Sequence, residues 1–80
     1  MTHTRILSEI QDIMRRVFDN EDLNIVEATT AKDIREWDSL SHIELIVAIE
    51  KHFHFKFTLK EVQSFHNVGE MCGAIAQKVS

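Results

Sequence analysis

Apolar residues recur at intervals of three and four along three separate stretches, and no proline interrupts any of them. That rhythm is the strongest constraint on the fold, because it puts one apolar stripe on each of three helices. Ile6, Leu7, Ile10, Ile13, Met14, Val17 and Phe18 form the first stripe. Thr2 or Thr4 is placed to cap its start, and Arg15 and Arg16 lie near its end, where cations suit the helix dipole. Leu45, Ile46, Ile49 and Phe53 cluster on one side of the second, with His42 among them. Val68, Met71, Cys72, Ile75 and Val79 make the last. With no proline and only two glycines, Gly69 and Gly73, a hairpin-rich β fold is disfavoured.

Between the first two helices runs a long polar connection. Asp19-Asn20-Glu21-Asp22 closes the first helix, and Leu23, Ile25, Val26, Ala28, Ile34 and Trp37 follow without a clean period. A loop of this length must be pinned by its own apolar residues. Thr30-Ala31-Lys32-Asp33 suits a single turn. Asp38 then reads as the N-cap of the second helix, Ser39 to Phe53. His54-Phe55-Lys56-Phe57 alternates like a strand but is too short and isolated to build a sheet. Thr58-Leu59-Lys60-Glu61 is a capping box opening a short helix that carries Leu59, Val62 and Phe65. Asn67 to Glu70 repeats that logic, with Asn67 as cap and Glu70 reaching back to it. The expectation is an all-α four-helix bundle: the third helix is short, a long loop joins helices one and two, and residues 1–80 form one domain.

Composition narrows the function. A net charge of -4 argues against nucleic acid and anionic membrane as partners and favours basic proteins. A single cysteine allows no internal disulfide. The start Met1-Thr2-His3-Thr4-Arg5 lacks the apolar block of a signal peptide, and Leu45 to Ile49 is too short to span a bilayer. A cytoplasmic protein, expected to be a monomer, follows.

Three chemical constellations invite an enzymatic reading. Ser39 and His42 lie three apart on one helix, like a nucleophile and its base, but the wheel turns His42 inward and no orienting third group is evident. His52, His54, His66 and Cys72 fit no usual zinc spacing, so no metal site is assigned. Cys72 sits in an apolar stripe, where a thiol behaves as a small inert hydrophobe. No catalytic residue is assigned. What remains is Ser39, exposed at a helix start, where the positive end of the dipole favours a phosphate. Beside it Leu40, Glu44, Val47 and Lys51 form a second, mixed ridge, open to solvent or to a partner.

The stretch Trp37-Asp38-Ser39-Leu40-Ser41-His42-Ile43-Glu44-Leu45-Ile46-Val47-Ala48-Ile49-Glu50, with Phe53, resembles the phosphopantetheine attachment site of acyl carrier proteins. Asp38, Ser39, Leu40, Ile43, Glu44, Leu45, Ile49, Glu50 and Phe53 match that pattern; Phe57 and the Val68-Gly69 pair fall in register downstream. The resemblance implies a carrier rather than an enzyme. Ser39, flanked by Asp38 and Leu40, would receive phosphopantetheine from CoA through a phosphopantetheinyl transferase. The arm would hold acyl groups as thioesters and present them to acyl-activating enzymes or acyltransferases. Asp38, Leu40, Glu44, Val47 and Glu50 would meet those partners. Arg35-Glu36-Trp37 precedes the motif, where many fatty-acid carriers have a glycine, and Ser41, Lys51 and His52 stand where acids are common. These departures point to a discrete carrier of a specialised pathway: polyketide tailoring, unusual acyl units or surface-polysaccharide modification. Aminoacyl or peptidyl carriers share the serine. The reading outside the family is a cofactor-free helical interaction domain.

Overall fold

The computed structural model describes residues 2–79; Met1 and Ser80, the two ends of the expected domain, lie outside the described residues. Its helices are α1 (His3–Val17), α2 (Ser39–Phe53), α3 (Leu59–Ser64) and α4 (Val68–Val79), with one 3-10 turn at Ala31–Asp33. There is no strand among the described residues, so His54 to Phe57 form a plain connection. The third helix is indeed short, and the loop joining α1 to α2 is long.

α1 packs against both α2 and α4. Ile6, Ile10, Ile13 and Met14 supply its buried stripe, met by Leu45, Ile46, Ile49 and Phe53 of α2 and by Val68, Met71, Cys72 and Ile75 of α4. Burying each large aliphatic side chain contributes about 1.5–3 kcal/mol, which makes this three-helix seam the main source of stability. The caps are local and mostly as the sequence implies. The Thr2 hydroxyl accepts from Arg5 N–H at 3.1 Å. Glu61 N–H donates to Thr58 Oγ1 at 3.1 Å, and Thr58 N–H donates to Glu61 Oε1 at 2.8 Å. The α4 cap differs from expectation. Asn67 Oδ1 accepts from Glu70 N–H, but the Glu70 carboxylate reaches His66 N–H at 2.9 Å rather than Asn67.

The long loop is pinned by fewer of its apolar residues than expected. Ile25, Ile34 and Trp37 are buried and Leu23 half-buried, whereas Val26 and Ala28 face solvent. Polar bonds make up the difference. Ile25 N–H donates to Gln11 Oε1 at 2.9 Å, and Arg15 Nε donates to Leu23 O at 2.7 Å. The loop then lends its carbonyls to the start of α4: Val68 N–H donates to Thr29 O at 2.9 Å, and Gly69 N–H to Glu27 O at 2.8 Å. First-turn N–H groups have no acceptor within their own helix, so this docking satisfies them. The approach is close enough to favour glycine, since a Cβ on Gly69 would stand 3.1 Å from both Glu27 O and Glu27 Cβ.

α2 ends where His54 takes a left-handed conformation (φ 62°), closing the helix with its N–H on Glu50 O at 2.9 Å. Two polar contacts, one to His42 of α2 and one to Lys78 of α4, help to seat α3, which buries no side chain fully. Of the three apolar residues expected on this helix, Leu59 is 72% exposed. Phe65 lies just past the end of α3, half-buried against Phe57 with ring centroids 5.3 Å apart.

Candidate functional site: the start of α2

Asp38 caps α2 and holds Ser39 at its first position. Its Oδ1 accepts from Ser41 N–H at 2.9 Å, and Asp38 N–H donates to Ser41 Oγ at 2.8 Å. Ser41 Oγ in turn donates to Glu36 O at 2.6 Å, tying the cap to the end of the loop. The bonds from Ser41, its backbone N–H foremost, hold the Asp38 carboxyl below its ordinary range. Ser39 is exposed, and its hydroxyl makes no hydrogen bond to any described residue. An unbonded hydroxyl at the N-terminus of a 15-residue helix can carry a phosphodiester without disturbing the cap.

A cleft of about 660 Å³ opens beside Ser39. Trp37, His42 and Ile43 line one side of it, and Leu59, Val62 and Phe65 the other. Trp37, 8% exposed, packs against Phe18 with ring centroids 6.2 Å apart and stacks on His42. His42 is fully engaged: Nδ1 accepts from Trp37 Nε1 at 3.0 Å, and Nε2 lies 3.2 Å from Val62 O. Neither ring nitrogen is free to take a proton from Ser39, so the nucleophile–base pairing is not assembled.

The remaining candidates are dispersed. His52 pairs with Glu9 at 2.6 Å, His66 with Glu70 at 3.2 Å, and His54 closes α2. No group of three or more potential metal ligands comes together among the described residues. Cys72 is buried, and desolvation, with a smaller push from Glu27, raises its thiol to about 11.

Leu40, Glu44, Val47 and Lys51 all face solvent, with Leu40 72% and Val47 42% exposed. Ile43, one turn on from Ser39, joins them at 54% exposure, and exposed Leu59 lies across the cleft. Neither belongs to the ridge of Leu40, Glu44, Val47 and Lys51 expected from the sequence. The signal for Ile43 was its position four residues after Ser39 and four before Val47, which puts it between them on the open side of α2. Glu50 stands apart: half-buried, it accepts Phe57 N–H on Oε2 at 2.8 Å and so anchors the segment after α2.

Residues 5–75 match the family described as "Phosphopantetheine attachment site". The solution NMR structure of a holo acyl carrier protein from Geobacter metallireducens is 40% identical, with a TM-score of 0.87 over 92% of this chain and 85% of that one. A second solved structure, from Mycobacterium tuberculosis, is 22% identical and shares the fold, with a TM-score of 0.82 over 91% of this chain and 97% of that one. No curated protein matches the chain at a significant level. The match decides against a cofactor-free interaction domain. Members of the family carry a phosphopantetheine prosthetic group, serve phosphopantetheinyl transferases and acyl-handling enzymes, and are carriers rather than catalysts. The open hydroxyl, its cap and the adjoining cleft fit that group, and the chain belongs to the phosphopantetheine-binding acyl carrier proteins.

Proposed function

We propose that Ser39 is the attachment point, and that residues 1–80 form one carrier domain working as a monomer in the cytoplasm, where CoA is met. The observation that carries this is the Ser39 hydroxyl, exposed and unbonded at the start of α2 beside the cleft. When bound, the arm supplies a thiol that holds the acyl group as a thioester. The chain's own residues do the rest. Asp38 and Ser41 fix the helix start, so that the hydroxyl is offered in one position. Leu40, Ile43, Glu44 and Val47 offer an apolar surface with one carboxylate, suited to a partner with a basic rim. The cleft wall of Trp37, Val62 and Phe65 gives apolar shelter to a short acyl unit.

The cargo we propose belongs to a specialised pathway: a polyketide, an unusual acyl unit or a polysaccharide modification. Arg35-Glu36-Trp37 before the motif, and Lys51 and His52 where fatty-acid carriers are often acidic, support that reading. The test is intact mass after incubation with CoA and a transferase. One phosphopantetheine is expected on the wild type and none on Ser39→Ala; modification at Ser8, Ser41 or Ser64 would overturn the assignment.

A further inference from the structure

α3 is weakly secured, yet together with Phe65 just past its end it forms one side of the cleft beside Ser39. It has six residues, too few to be stable in isolation, and it buries none of them fully. The α4 side of its attachment is the Glu61–Lys78 pair at 3.1 Å, with both side chains partly solvated. Such a pair holds position weakly. The polar tie on the α2 side is a single side chain, beside the partly buried packing of Val62 on the core. His42 reaches Val62 O from one ring nitrogen and Trp37 Nε1 from the other, at 3.2 and 3.0 Å.

The chemistry of the two neighbours leaves the ring one way to serve both. An indole nitrogen only donates and a carbonyl oxygen only accepts. Nδ1 must therefore be bare and Nε2 must carry the proton, so the ring is neutral and in one tautomer. Trp37 is itself held in the core against Phe18, with ring centroids 6.2 Å apart. The chain of contacts runs from the core through Trp37 and His42 to the backbone of α3. We propose that His42 is a positioning residue: it latches α3, and with it the exposed Leu59, at a fixed distance from Ser39, and so sets the width of the cleft and the shape of the docking surface. The functional part of this proposal rests on Ser39 being the attachment point; the latch itself does not.

Three substitutions separate the latch from ordinary packing. His42→Phe keeps a ring against Trp37 and loses both hydrogen bonds. His42→Gln keeps a donor long enough to reach Val62 O. His42→Asn is shorter and reaches Trp37 alone. The experiment is residue-resolved amide exchange on the apo protein, with the 15N resonances of the His42 ring. A bare Nδ1 and a protonated Nε2 are expected in the wild type. In His42→Phe and His42→Asn the amides of α3 should exchange about tenfold faster, the scale of one to two lost hydrogen bonds, while the core amides of α1 and α4 hold their rates. His42→Gln should restore most of the protection. With a transferase and CoA, His42→Phe should raise KM for the carrier more than it lowers kcat, and His42→Gln should reverse this. A protonated Nδ1, unchanged exchange in α3, or a uniform rise across all four helices would overturn the latch. A wild type that takes no phosphopantetheine would instead overturn the assignment of Ser39, and the apo measurements would still decide the latch.

Discussion

The Trp37 indole and the His42 imidazole lie nearly parallel, 24° apart with centroids at 5.9 Å, and share a hydrogen bond of 3.0 Å. One ring pair therefore closes the loop and walls the cleft. The geometry makes Trp37 both an anchor of the loop, buried against Phe18, and part of the cleft wall.

Trp37→Ala should cost about 3–5 kcal/mol, the range for deleting a buried aromatic, and a domain this small has little more than that to lose. Thermal and denaturant melts of the apo protein check this. An alanine variant that melts normally would show that the ring's share of the core is minor.

Glu44→Lys should slow loading by a transferase, through association rather than chemistry, because Glu44 is exposed and lies between Leu40 and Val47 on the ridge. The difference from wild type should shrink as salt rises. Helicity should be unchanged. Equal loading rates at low salt would remove the ridge from the interface.

At Gly69, alanine is expected to destabilise by about 1–3 kcal/mol, because its methyl would press on the Glu27 carbonyl and loosen the loop from α4. Gly73→Ala is the control. Beyond its chain neighbours and its own helix backbone, nothing lies within 4 Å of the Cβ that alanine would add, and exchanging a mid-helix glycine for alanine should stabilise by about 0.5–1 kcal/mol. Opposite signs in two melts check the pair.

Cys72 should resist alkylation in the folded protein at pH 8 and react readily in denaturant. Its thiol is raised from the ordinary 9.0 to about 11 in the fold. A folded value above the unfolded one means the associated stability is complete below pH 9 and declines as pH rises from 9 towards 11. Rapid labelling at pH 8 without unfolding would contradict the burial.

Much of this architecture was legible because helices write their own signals locally. The α1, α2 and α4 stripes, the Asp38 and Thr58 caps and the turn at Ala31–Asp33 all depend on residues within one or two turns of each other. The exposure of Leu59 was not legible, because six residues make under two turns and the phase of such a helix is set by its neighbours. Glu70 chose His66 N–H over Asn67 N–H, a choice between adjacent donors that backbone geometry decides. At the site, Ser39 and its cap could be read directly. The engagement of His42 with Val62 and of Glu50 with Phe57 could not, since the partners lie 20 and 7 residues apart and no periodicity pairs them.

The carbonyls that Glu27 and Thr29 lend to α4 have a consequence for how the chain assembles. The Val68 and Gly69 N–H groups that open α4 find their acceptors only once the loop lies in place, and Gln11 and Arg15 of α1 help to hold it there. Neither the first half of the chain nor the last helix is therefore a self-sufficient folding unit. Cutting the chain between α2 and α3 should yield two fragments with little structure alone, which regain it when mixed.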